Sequence, residues 1–263
     1  MSRFVVLFTI SIALPLIACR PPANPTNPSA VNEILGRLEE TASRIKDIKG
    51  SADVVAFINN QRGRAGVRIR FIAPDRYRID IHAGVMQVIA VILLDGDSVK
   101  LYTPRENTLY EGRLLDQDVL VPGLLIPLAD IRTAAVGMIK LQPYLDGPIT
   151  DYRYENGDAL ISIQKEGLTR TIWVDVQKSV VIREEEHHSN GFKVSRAFLK
   201  YNKRKGVWRP GRIQILSDRQ EASMDLVYNT QSTNGGLTHA DLSVRFPSSV
   251  IRRSLKEINS FVD

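Results

Sequence analysis

Val67-Arg68-Ile69-Arg70-Phe71-Ile72-Ala73-Pro74-Asp75-Arg76-Tyr77-Arg78-Ile79-Asp80-Ile81 decides the fold class. Val67, Ile69 and Phe71 alternate with Arg68 and Arg70, and Tyr77, Ile79 and Ile81 alternate with Arg78 and Asp80. A period of two sends apolar side chains to one face and charged ones to the other, which is the pattern of half-buried antiparallel strands. Ala73-Pro74-Asp75 is the corner between them. Downstream, Val88 to Leu94 is apolar throughout, as in a strand covered on both faces. Asp95-Gly96-Asp97, Asn156-Gly157-Asp158, Lys165-Glu166-Gly167, Asn190-Gly191 and Lys205-Gly206 are turn signals. They separate strand-like runs near 99–103, 108–112, 160–164, 169–176, 179–184, 192–200, 207–216, 222–228 and 241–246.

Helical spacing occurs in two places. Ser29 is positioned to cap a helix whose apolar residues Val31, Ile34, Leu35, Leu38, Ala42, Ile45 and Ile48 recur at helical intervals, with Gly50 as its stop. Asp116 to Leu141 is broken at Pro122-Gly123 and Pro127, and a second helix is expected after Pro127. A sheet of about ten strands normally curls or splits. Two helices are too few to cover it flat, so the economical arrangement is a mainly β domain curled around them, with an apolar hollow.

The first nineteen residues belong to something else. Met1-Ser2-Arg3 is a positive start, and Phe4 to Ala18 carries no charge. That run is shorter than the roughly 20 residues needed to span a bilayer. It has the layout of a secretory signal peptide, and Leu16-Ile17-Ala18-Cys19 resembles the lipobox of bacterial lipoproteins. The resemblance implies cleavage before Cys19 and a covalent N-acyl diacylglycerol on that cysteine. Arg20, where the enterobacterial sorting rule would need Asp for retention, implies an outer-membrane anchor. The 263 residues contain one cysteine, so an intrachain disulfide is excluded. Residues 20–29 hold four of the thirteen prolines and read as an extended tether. The expected organisation is a signal peptide at 1–18, lipidated Cys19 and tether at 19–29, and one domain at 30–263.

Several segments resemble the LolA/LolB group of periplasmic lipoprotein carriers and receptors, LolB most closely. They are Ile48-Lys49-Gly50-Ser51, Ala73-Pro74-Asp75-Arg76-Tyr77-Arg78, Asp95-Gly96 followed by Val99-Lys100-Leu101-Tyr102, the run from Gly123 through Pro127 to Arg132, and Val207-Trp208-Arg209-Pro210. The resemblance implies a half-open antiparallel β-barrel of about ten or eleven strands, with an N-terminal helix and a helical lid segment. It further implies an acyl-chain cavity lined by Val67, Ile69, Phe71, Tyr77, Ile79 and Ile81, with Leu125 and Ile131 from the lid. Ordinary core packing accounts for the same residues. The LolA carrier has arginine directly before the corner proline, where this chain has Ala73. LolB touches the membrane with a leucine in the following loop, a role that would fall here to Val85 or Met86. The implied partners are membrane lipid, lipoprotein acyl chains and a LolA-like periplasmic carrier; the domain is expected to be a monomer.

No G-x-S-x-G, H-E-x-x-H, C-x-x-C, P-loop or dinucleotide pattern is present, so binding is expected rather than catalysis, with no metal and no cofactor beyond the lipid anchor. His187 and His188 after Glu184-Glu185-Glu186 face opposite ways on a strand, and the segment reads as a solvated strand end. The net charge is +6, and six arginines fall between Arg62 and Arg78. In an exported lipoprotein, Arg68 and Arg70 fit anionic head groups better than nucleic acid, and a solvated face balanced by Asp75, Asp80 and Glu111 explains them equally well. The functional expectation is an outer-membrane lipoprotein facing the periplasm that transfers acyl chains without covalent chemistry. An envelope-stress sensor and a structural envelope lipoprotein on the same fold are the alternatives.

Overall fold

The computed structural model describes residues 28–58, 61–84, 87–114, 132, 136, 137, 147–218 and 221–261. The signal peptide, Cys19, the tether up to residue 27, Val85, Met86, Leu125 and Ile131 lie outside the described residues.

Helix α1 spans Pro28–Ser43 and leads into β1 (Asp47–Ile58). An antiparallel meander follows: β2 (Gln61–Ile72), β3 (Arg76–Ala83), β4 (Gln87–Asp95), β5 (Ser98–Thr103) and β6 (Thr108–Arg113). A second meander comprises β7 (Ile149–Glu155), β8 (Asp158–Lys165), β9 (Leu168–Asp175), β10 (Val180–His188) and β11 (Lys193–Leu199). After a short ribbon, β12 (Asn202–Arg204) with β13 (Val207–Arg209), come β14 (Arg212–Ser217) and β15 (Ala222–Thr233). Helix α2 (His239–Leu242), β16 (Ile251–Ser254) and a 3₁₀ helix (Leu255–Phe261) complete the chain.

Fourteen strands form one sheet in the order β16-β6-β5-β4-β3-β2-β1-β15-β14-β11-β10-β9-β8-β7. The two meanders meet where β1 pairs with β15. Among the described residues β7 and β16 stay unpaired edges, so the curled sheet is an open barrel. Every pairing is antiparallel except β16 with β6. The sheet exceeds the ten or eleven strands expected because β7 and β16 carry little alternation. The run at 207–216 also divides: Pro210-Gly211 ends β13 before β14 begins.

Alternation orients the strands as expected. Val67, Ile69, Phe71, Tyr77, Ile79 and Ile81 are all buried in one continuous core with Val31, Ile34, Leu35 and Leu38 of α1. The helix is shorter than its apolar spacing suggested. It ends at Ser43, and Ile48 and Gly50 belong to β1, where pairing to both β2 and β15 claims the backbone. Gly50 is therefore no helix stop. Its missing side chain makes room for a neighbour, since a Cβ there would lie 2.8 Å from the Thr230 carbonyl and 3.3 Å from the Tyr228 ring. Ser29 lies inside the first turn rather than capping it, and Pro28 takes the first position, where its fixed φ suits a helix.

The segment after β15 returns across the outer face. Asp47, almost fully buried, accepts hydrogen bonds from the backbone N–H groups of Gly235 and Gly236 at 2.8 Å and of Leu237 at 3.3 Å. Arg78 donates to the Ser243 carbonyl at 2.7 Å, Arg76 meets His239, and the rings of Tyr102 and Phe246 make an edge contact. This cover explains why Val88 to Leu94 is apolar on both sides: Val91 is buried although it registers opposite outward Asp80. Residues 241–246, expected as a strand, are the end of α2 and extended chain.

Candidate binding cavity

One end of the barrel holds a cavity of about 500 Å³. The C-terminal half of α1 supplies Leu38, Thr41 and Ala42; the β2–β3 corner supplies Phe71, Ala73, Pro74, Asp75 and Tyr77; β10 and β11 supply Val180, Val181 and Phe198. Tyr201 and Trp208 close the wall, and Val136 and Gly137 come from within the segment expected as the lid. Gly137 has φ +57° and lies so close to Pro210 that a Cβ would come within 2.5 Å of its ring. A space of this size with mostly apolar walls is in the range of sites for small amphiphiles.

Of the six sheet residues expected on a cavity wall, Phe71 and Tyr77 line this one, with ring centroids 4.9 Å apart. Val67, Ile69, Ile79 and Ile81 lie deeper along the same strands, in the packed core rather than on the cavity wall. Burial pushes the Tyr77 phenol upward, and nearby Asp75 adds to this, so the ring stays neutral. Sequence reading missed the far wall. Val180, Val181, Phe198, Tyr201 and Trp208 belong to strands and turns more than a hundred residues from the corner, and no local signal joins them.

Two polar groupings flank this apolar space. Glu184, Glu186, Arg170 and Arg196 face inward from β9, β10 and β11 as a buried quartet. Arg196 lies 3.1 Å from Glu184 and 3.0 Å from Glu186, and Arg170 bonds Glu184 directly. The triple glutamate is thus not a solvated strand end. Only Glu185 points outward, where burial is outweighed by hydrogen bonds from Lys193, His187 and Arg183 that hold its carboxyl below the usual range. Both histidines point away from any shared centre: His187 meets Glu185 and His188 stacks on Phe192.

The second grouping is Arg209, which has no exposed surface. None of its three guanidinium nitrogens meets a carboxylate or makes a well-formed hydrogen bond; the Tyr228 phenol is its hydrogen-bonding neighbour, and Tyr228 and Tyr201 favour the charge that burial opposes.

On the outer face, the basic stripe divides. Arg70 and Arg78 are half-buried and bond Asp80 at 2.7 and 2.9 Å, while Arg68 is exposed. Glu111 pairs with Lys100 and Arg252 rather than with the stripe. Arg68 and Arg70 border a shallow groove with Lys49, Ser51, Thr230 and Ser232.

A curled, open antiparallel sheet whose hollow is half-plugged by an N-terminal helix defines a class of binding fold. Solved structures share it. An outer membrane lipoprotein-sorting protein domain from Vibrio parahaemolyticus matches with TM-score 0.65 at 13% identity, over 81% of this chain and 97% of that one. A DUF1329 family protein from Desulfovibrio piger gives 0.63 at 13% identity, over 82% and 98%. A LolA superfamily protein from Nitrosomonas europaea gives 0.58 at 10% identity, over 81% and 97%. No family model and no curated protein matches the sequence. At these identities the likeness is one of fold: the chain folds like these structures, and nothing in the likeness singles out LolB.

Proposed function

We propose that this chain is a lipid-anchored outer-membrane protein that binds acyl chains in the cavity and takes part in lipoprotein localisation. The observation that carries the reading is the cavity itself: about 500 Å³, walled by α1 and the concave sheet, and dominated by apolar and aromatic side chains. Burying an acyl chain there gains about 25 cal/mol per Å² of apolar surface removed from water. Transfer needs no bond to be made or broken. Chains move from a LolA-like periplasmic carrier to this cavity and then to the bilayer, each step favouring the site that hides more apolar area. The fold shared with a lipoprotein-sorting domain supports this reading. Cys19 would hold the protein at the membrane through its acylated N-terminus, and Val85 or Met86, with exposed Arg68, would meet the lipid surface.

The test is to fill the cavity. Ala42 lines it from α1 and is half-buried, so Ala42→Trp places an indole in the space without disturbing the sheet. Native mass spectrometry of the wild-type chain should show co-purifying lipid or lipoprotein, and the variant should lose it with at least a tenfold drop in affinity for a fluorescent acyl probe. Depletion in the parent cell should mislocalise lipoproteins. A wild-type protein that stays lipid-free and refuses the probe contradicts the reading.

A further inference from the structure

Arg209 is a buried charge in search of an anion. Arginine is not relieved of its charge by deprotonation in proteins. Taking an unpaired ion out of water costs several kcal/mol even after relaxation. No carboxylate among the described residues pairs with Arg209, whereas the other buried arginines, Arg170 and Arg196, are each bonded to glutamate.

Its surroundings share one polarity. Tyr228, whose ring lies over Gly50, approaches the guanidinium, and Gln231 follows on the same strand. Gln231 registers opposite Gly50, and Thr233 registers opposite Ile48 on the same inward face. The Gln231 amide nitrogen and the Thr233 hydroxyl are buried and make no hydrogen bond. Tyr228 neighbours both Arg209 and Gln231, so the guanidinium and the Gln231 amide present donors around one phenol, with Thr233 two residues further along the same face, and donors are the complement of an oxyanion. Arg209 adjoins the cavity through two of its wall residues. Trp208, the preceding residue, and Tyr201, whose hydroxyl donates to the Val181 carbonyl at 2.6 Å, both form cavity wall.

We propose that Arg209, with Tyr228, Gln231 and Thr233, is the seat for the anionic head group, a carboxylate or a phosphate, of the amphiphile whose chain occupies the cavity. The inference rests on the acyl-chain reading and narrows it: the ligand enters head first, and its charge, as well as its chain, is recognised. A planar guanidinium donates two parallel hydrogen bonds to either oxyanion. The wall residue Trp208 must yield as the head group seats.

The experiment uses the full-length chain carrying Trp173→Phe, which leaves Trp208 as the only tryptophan. Palmitate, dipalmitoyl phosphatidic acid and uncharged hexadecanol are titrated while Trp208 fluorescence is followed. Palmitate or the phosphatidic acid should bind at least tenfold more tightly than hexadecanol and shift the emission, and whichever anion binds more tightly identifies carboxylate or phosphate as the source. Arg209→Met should abolish that preference while keeping the hexadecanol affinity and at least wild-type thermal stability, because it removes an unpaired buried charge; Arg209→Lys should retain part of the preference. If all three amphiphiles bind equally, or Arg209→Met keeps the preference, the head-group seat is wrong and the apolar cavity stands. If none binds, both readings fall together.

Discussion

Glu184 shows how much hangs on one residue's parity. Its side chain is fully buried between Arg170 and Arg196, and Glu186 completes the quartet two residues on, while Glu185 between them faces solvent-side partners. The sequence Glu-Glu-Glu-His-His reads as polar surface, because three acidic residues in a row give no hint that alternation carries two of them inward opposite arginines supplied by neighbouring strands. By contrast, Val67 to Ile81 is legible because apolar residues at every second position need no partner to declare their face. Removing one member of a buried ion cluster leaves the rest uncompensated. Glu184→Ala should therefore lower the unfolding free energy by about 3–5 kcal/mol. Chemical denaturation checks this, and a loss under about 1 kcal/mol would mean that the quartet is solvated in solution.

At the scale of elements, the strands that were missed are those whose burial comes from neighbours rather than from their own pattern. β7 buries one aromatic, Tyr152, on an edge, and all four residues of β16 are exposed. β16 is in the sheet because the return segment delivers it beside β6, and that segment is fixed from afar by Asp47. Half the cavity was equally hidden: the corner aromatics Phe71 and Tyr77 follow from alternation, but Tyr201 and Trp208 reach them only through the pairing of β1 with β15, which joins the two meanders. The Asp47 carboxylate is the one acceptor for three backbone donors, so Asp47→Ala frees them. Gly235 and Gly236 are exposed and Leu237 half-buried, so water takes up the freed donors and the loss is about 1 kcal/mol per hydrogen bond. We expect amide exchange at Gly235, Gly236 and Leu237 to rise by at least tenfold while exchange in the β8–β9 core is unchanged. Uniform acceleration across the sheet would show that Asp47 supports the whole barrel rather than the return.

Across the whole molecule, the cavity and the Ala83 end of β3 lie at opposite ends of that strand. β3 starts at the corner that lines the cavity and runs for eight residues to Ala83. At about 3.3 Å per residue that separation is roughly 25 Å. The turns at 73–75 and 95–98 share the cavity end, and the strand ends where Phe57 registers with Arg62 and Ser217 with Ala222 share the other, with exposed Phe57 and Leu216. Arg62 stacks over Phe57, so that far end combines apolar and cationic side chains as a surface meeting anionic lipid would. If the far end rests on the bilayer, the cavity is turned toward the periplasm, placed to receive cargo from a soluble carrier. A photo-crosslinking amino acid at Ala83 should then capture phospholipid in intact envelopes, and one at Asp75 should capture protein or lipoprotein cargo. Phospholipid captured equally at both positions would put the cavity end at the membrane too, and cargo would have to enter from the bilayer side.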